Sequence, residues 1–234
     1  MDNELYLRLR EKEGRIYSDD IVAHLPYMAD ALPHANEWRA RAISSMRLHR
    51  YFSSKPTPLS LLELGCGNGW LSNLLSQSRH RVIGMDRNQQ ELKQAARIFQ
   101  SNSKLLFLDA DIFSSPFYFG QFDAIVLASV VQYFQNIHIL LPVLLSYLKP
   151  AGEIHIIDSP FYEDGDLKEA STRTEIYYRT LGFSQMTEHY FHHRLSDLMP
   201  YRAQCLYAPK GMLHRLKQAF GQVDSPFPWY VIKN

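Results

Sequence analysis

The sequence is poor in cysteine, in net charge, in long apolar runs and in repetition, and each scarcity excludes something. Its only cysteines are Cys66 and Cys205. Cys66 sits in a glycine-rich turn, where a disulfide would obstruct close approach of the backbone to a ligand, so a reducing compartment is expected. The 25 basic residues nearly cancel the 24 acidic ones, which leaves no overall field to hold a polyanion or to favour an anionic membrane surface. A nucleic-acid partner is therefore disfavoured. No stretch approaches the roughly 18 consecutive apolar residues that span a bilayer, and residues 1–13 alternate charges with leucines where a secretory signal would be apolar. A soluble, cytoplasmic protein without a membrane partner is expected. There is no internal repeat and no low-complexity segment.

What is present is a chain of 234 residues, 46% hydrophobic, enough for one domain with a sizeable core. Residues 1–58 read as helices, with Asn3 to Glu13 and Asn36 to Phe52 separated by breaks at Pro26 and Pro33. From residue 59 to 160 apolar runs alternate with helical patterns. The runs are Leu59 to Leu64, Arg81 to Met85, Leu105 to Leu108, Ala124 to Ala128 and Glu153 to Ile157; the helices are Leu71 to Ser78, Glu91 to Gln100 and Ile137 to Leu148. Strands spaced by helices imply crossover connections and a parallel sheet. Pro150 and Gly152 read as the turn that ends the third of these helices and starts the fifth strand. Residues 161–234 are less regular: a helix from Lys168 to Leu181 ended by Gly182, a strand at Gln204 to Tyr207 with Cys205 in its core, a basic helix at Met212 to Phe220, and a strand at Trp229 to Ile232.

The first strand runs into Glu63-Leu64-Gly65-Cys66-Gly67-Asn68-Gly69-Trp70. Glycines here allow positive φ and let the main chain touch a ligand with no Cβ in the way. A dinucleotide fingerprint places a third glycine where this chain has Trp70, and a bulky indole would crowd the close helix packing that glycine permits. Glu63 would also repel a pyrophosphate. An NAD(P)-dependent oxidoreductase is thus the runner-up. An acid beside the turn instead suits the ammonium and sulfonium of S-adenosylmethionine (SAM).

Glu63 to Gly69 resembles the first motif of class I SAM-dependent methyltransferases, and the order of later segments agrees over roughly Leu59 to Asp158. The resemblance implies a doubly wound, Rossmann-like α/β fold: a seven-stranded, mostly parallel sheet with an antiparallel last strand, residues 1–58 forming a helical lid and residues 161–234 completing the acceptor side. It implies cofactor contacts from Glu63, Gly65, Cys66, Gly67, Asn68 and Gly69. Asp86, at the end of the second strand and about 20 residues beyond Gly65, has the spacing of a ribose-binding carboxylate that accepts from both hydroxyls; Arg87 beside it reads as an exposed neighbour of the same site. Asp111 and the Ile112 amide would read the adenine edge, with Asp109 competing for the acidic role. Ala128 and Ser129 would line the cofactor, while Gln132 and Tyr133 look toward the transferred methyl group. The Asp/Asn-Pro-Pro-Tyr/Phe motif of enzymes that methylate nucleic-acid exocyclic amines or glutamine is missing after Ser129, which lowers the expectation for those acceptors.

Displacement at a sulfonium mainly needs alignment and removal of water, so a base is required only for an acceptor protonated at neutral pH. Candidates are His189, His192 and His193, together with Tyr133. The histidines also admit aromatic packing as their role, or a metal site; with no H-E-x-x-H spacing and no cysteine partner, no metal is expected. Trp38, Arg39 and Arg41 lie in the helices that close over the cofactor in the resembled family. The expected function is SAM-dependent methyl transfer to an unidentified acceptor, a small molecule given the balanced charge and abundant aromatics. The alternatives are the oxidoreductase and a non-catalytic SAM-binding relative.

Overall fold

The computed structural model describes residues 3–28, 32–209 and 224–234. Seven strands form one sheet: β1 (Ser60–Leu64), β2 (Arg81–Asp86), β3 (Leu105–Asp109), β4 (Phe122–Ala128), β5 (Leu148–Ile157), β6 (Gln204–Tyr207) and β7 (Trp229–Lys233), in the order β3-β2-β1-β4-β5-β7-β6. The first five run parallel, and β7 is antiparallel to both β5 and β6. The chain starts at β1, steps outward to β2 and β3, then returns to lay β4 on the other side of β1. Such a reversal opens a crevice at the carboxyl ends of the two central strands, here β1 and β4.

The central strands read as nearly continuous apolar runs because helices cover both faces. Side chains alternate between those faces. Leu61, Ala124 and Val126 join one apolar layer with Trp38, Leu48, Phe52, Leu71 and Leu75, while Leu62, Ile125 and Leu127 join the other with Leu140 and Leu144. The helices are α1 (Asn3–Lys12), α2 (Asp19–His24), α3 (Ala35–Ser53), α4 (Trp70–Ser76), α5 (Gln89–Ile98), α6 (Ile137–Tyr147) and α7 (Leu167–Leu181). A third, small cluster of Leu9, Tyr178 and Met186 fastens α1 to α7 and the turn after it. Gly182 ends α7 in the left-handed conformation, at φ 82°.

Three details differ from the sequence reading. Strand β5 begins at Leu148: the pairs Phe122 to Leu148 and Ala124 to Glu153 advance two residues on β4 and five on β5, so Lys149 to Gly152 bulge out. Pro150 and Gly152 therefore interrupt a strand where they were expected to precede one. The physical reason is local: a Cβ on Gly152 would lie 2.9 Å from both Leu148 Cβ and Lys149 O, so the chain can double back on itself only at glycine. Cys205 is exposed, because β6 is the outermost strand and only β7 pairs with it; it is not core. The short helix α2, after the break that follows α1, carried no periodicity long enough to be read. The basic helix expected at 212–220 lies outside the described residues.

Candidate functional site

The chain leaves β1 through a turn in which Gly65, Gly67 and Gly69 all have positive φ. At two of them space is as restrictive as backbone. A Cβ on Gly65 would lie 2.3 Å from Val130 Cγ2, and one on Gly69 would lie 2.5 Å from the Phe107 ring. The close approach of helix to strand that the fingerprint's third glycine gives is thus provided by Gly69. Trp70 does not crowd it; the indole turns away, buried, and meets the Trp38 ring of α3 edge-on at 5.6 Å.

The turn is closed by Asp86. Its Oδ2 accepts from the Gly67 amide at 2.8 Å, and its Oδ1 accepts from the amides of Arg87 at 2.7 Å and Asn88 at 2.9 Å. A carboxylate offers about four acceptor positions, so one remains for a ligand. Asn88, not Asp86, caps α5, accepting from the Gln90 and Glu91 amides. Beyond β3, Asp111 accepts from the Phe113 amide at 3.0 Å and pairs with the Arg87 guanidinium, also at 3.0 Å. Asp109 is held instead by Gln89. A cavity of about 290 Å³ brings together Gly65, Asp86, Asp111, Ile112, Ser129 and Tyr133, and Asp109 does not line it.

A smaller cavity, about 110 Å³, continues along the turn past Glu63, Cys66, Asn68, Glu91, Ala128 and Ser129. Glu63 is buried, with the Ser72 hydroxyl donating to it. Burial pushes its carboxyl up to about 8, the Ser72 bond pulling back and the neighbouring Asp86 charge adding to the rise. Glu91 is raised to about 7, again by burial and by Asp86, against Arg10 and a bond from Asn88 Nδ2. Sequence reasoning missed Glu91, because Asn88-x-x-Glu91 has the spacing of a helix capping box. Burial among these acids also pushes the Cys66 thiol well up, so it is not poised as a nucleophile.

A third cavity, about 780 Å³, opens on the far side of Tyr133 and is lined by Arg10, Gln132, Asp158, Tyr178 and Tyr190 among others. Ser129 lines all three cavities. Helix α1 lies across their junction: Arg10 donates to Tyr133 Oη at 2.9 Å, and the Asn3 side chain donates to the Arg87 carbonyl at 2.7 Å. Tyr133 meets Tyr6 and Tyr190 edge-on. At the ends of β4 and β5, Ser129 and Asp158 both take left-handed conformations, at φ 56° and 50°, a strain that folds retain where surrounding structure holds it.

The three histidines lie elsewhere. His193 is buried with Nε2 3.1 Å from the Val131 carbonyl, and burial lowers its pKa. His192 pairs with the Thr174 hydroxyl at 2.9 Å. Both line a separate cleft beside His138 and Asp197, and His189 ends a short 3-10 turn; none lines the three cavities above. Among the described residues, no group of three metal-ligating side chains is placed to hold an ion, and no helix is long and apolar enough to cross a membrane.

Comparisons with known proteins bear on this geometry. Residues 62–156 match the family model described as a methyltransferase domain. Over 109 residues the chain is 28% identical to YqeM of Bacillus subtilis (strain 168), assigned by its name to the methyltransferases; the match takes in 47% of this chain and 37% of that one, so the chain spans little more than a third of that relative. Geranyl diphosphate C-methyltransferase from Streptomyces coelicolor A3(2) superposes with a TM-score of 0.64 at 14% identity, covering 100% of this chain and 92% of that one. The CurJ carbon methyltransferase superposes with a TM-score of 0.62 at 16% identity, covering 99% and 67%. These structural likenesses show a shared fold.

Proposed function

We propose that this chain, whose residues 62–156 match a methyltransferase domain, is a class I, SAM-dependent methyltransferase that binds SAM across the β1/β4 crevice and transfers its methyl group to a small molecule. One observation carries the reading: a glycine turn tied to Asp86 lies against a buried carboxyl, Glu63, that among the described residues has a serine but no cation as its partner. A ligand bringing an ammonium and a sulfonium supplies the missing positive charge, whereas a pyrophosphate would meet two acids.

In this reading Gly65, Cys66, Gly67, Asn68 and Gly69 present the backbone to the amino-acid portion of SAM, with Glu63 beneath and Ala128 opposite. Asp86 accepts one ribose hydroxyl with its remaining acceptor position, rather than two. Asp111, with Ile112, borders the adenine, and Arg87 closes that edge through its pair with Asp111. Ser129, common to all three cavities, marks where donor and acceptor meet. SAM supplies an electrophilic methyl group with a neutral thioether as its leaving group; the chain supplies alignment and exclusion of water. The 780 Å³ cavity, walled by Tyr133, Tyr177, Tyr178 and Tyr190, has the size and aromatic character of a small-molecule site. The near balance of charge gives no support to a nucleic-acid acceptor.

Calorimetric titration with S-adenosylhomocysteine (SAH), with NADH in parallel, tests the cofactor assignment. Micromolar SAH binding and no NADH binding are expected. Preference for NADH, or binding of neither, would contradict it.

A further inference from the structure

Among the described residues that line the acceptor cavity, two buried side-chain atoms make no hydrogen bond: Arg15 Nε, which still lies 3.3 Å from the Glu13 carboxylate, and Gln132 Oε1, which has no such companion. Gln132 is 8% exposed, and its side-chain Nε2 donates to the Ser129 carbonyl at 2.7 Å. That bond fixes the orientation of the amide, since a carbonyl only accepts. The other end, Oε1, is buried without a partner, although buried polar atoms are paired in the great majority of cases. The residue lines the same cavity as Asp158.

Asp158 is the first residue beyond β5 and is bound to the same junction from the opposite side: the Ser129 hydroxyl donates to the Asp158 carbonyl at 3.0 Å. Its carboxylate is steered by two hydroxyls, Ser44 of α3 on Oδ2 at 2.6 Å and Ser225 on Oδ1 at 3.0 Å. Each oxygen keeps an acceptor position. The largest charged influences on it come from α3, Arg41 favouring the carboxylate and Glu37 opposing it. Burial is the largest influence and raises its affinity for a proton, which suits a group that takes one.

Two acceptor atoms beside one junction, among tyrosines, define a complementary molecule. We infer that the methyl acceptor is a small aromatic compound with two neighbouring protic groups, one donating to Gln132 Oε1 and the other, the nucleophile, donating to Asp158. This deepens the methyltransferase reading and rests on it. Asp158 is then the catalytic base: the nucleophile's lone pair forms the new bond to the methyl carbon, the carbon–sulfur bond breaks with its electrons remaining on sulfur, and the nucleophile's proton passes to Asp158 and on to water. Gln132 is a specificity residue, because an acceptor lacking the second donor leaves Oε1 unpaired.

Catechol serves as the probe, with its dimethyl ether veratrole as the aprotic match, both measured by ligand-observed NMR on the full chain saturated with SAH. Catechol is expected to bind about tenfold more tightly than veratrole, the usual consequence of satisfying a buried acceptor. Gln132→Met and Asp158→Asn should each bring that preference down to about twofold while SAH affinity, measured calorimetrically, stays within about threefold of native. Equal binding of the two probes, binding of neither, or a preference that survives in Gln132→Met overturns the proposal. Failure of the native chain to bind SAH overturns the cofactor reading instead, and the calorimetric arm separates the two.

Discussion

The two ends of the parallel sheet treat buried carboxyls in opposite ways. At the amino end, Glu153 accepts from the Tyr51 hydroxyl at 2.8 Å and from Lys55 Nζ at 3.1 Å, with His155 Nε2 3.4 Å away. Trp229 donates to His155 Nδ1, which leaves the proton on Nε2, facing the acid. Held by His155, Tyr51 and Lys55, the Glu153 carboxyl falls to about 2. Nearby, Asp123 accepts from the Ser60 amide and from Lys149. At the carboxyl end, Glu63 is buried and Glu91 and Asp158 are half-buried, with serines or an asparagine as their bonded partners, and all three are pushed up. At one end the carboxyls are held by the chain's own ammonium, hydroxyl and amide groups. At the other, the three carboxyls line cavities, the arrangement that we propose a ligand completes.

Gly65→Ala gives the largest effect, because it forces a side chain into a left-handed conformation and against Val130. A loss of about 3 kcal/mol in urea-derived stability and of measurable SAH binding is expected. Adding Val130→Ala should recover part of the stability by removing the clash, and no recovery would show that the backbone alone is at fault.

Glu153→Ala breaks the opposite end. Removing the acid from half-buried Tyr51 and Lys55 and from buried His155 should cost about 2 kcal/mol and leave SAH affinity unchanged. A parallel loss of binding would mean that the two ends are not separable.

The ends should also titrate with opposite signs. The folded-state value of Glu63, about 8, exceeds the ordinary 4.5, so between those values the native chain holds more protons than the unfolded one, and stability falls as pH rises through this window. The slope from pH 5 to 8 should amount to about 2–3 kcal/mol and flatten in Glu63→Gln. Glu153, at about 2, does the reverse: its contribution is present above 4.5 and disappears as pH falls toward 2. Urea unfolding of the SAH-free chain across pH checks both. Smallest is Tyr133→Phe, which removes the acceptor of the Arg10 bond and should cost about 1 kcal/mol, read as a small shift in the urea midpoint.

The sheet and the glycine turn were legible in the sequence because both are local patterns: apolar runs at strand length, and glycines between a strand and a helix. The position of Asp86 at the end of β2 was legible in the sequence, although its three backbone bonds were not. Trp70 was read as crowding the helix against the strand; the close approach is made at Gly69 instead, and only packing against Trp38 reveals where the ring goes. Glu91 hid behind a capping pattern, and Asp158 looked like the end of a strand until α3 and Ser225 were folded against it. The histidines drew attention because their chemistry is versatile; the Val131 carbonyl and the Thr174 hydroxyl occupy two of them. The β5 bulge depends on register with β4, which no periodicity within β5 contains.

The most direct measurement is calorimetric titration of the chain with SAH at pH 7.5 in two buffers of different ionisation enthalpy. With Glu63 near 8 and Glu91 near 7 before binding, arrival of the ligand's ammonium should ionise them further, so the account predicts micromolar binding with net proton release that shrinks in Glu63→Gln. Absence of binding, or binding with proton uptake, would contradict the view that these buried acids await a cationic ligand.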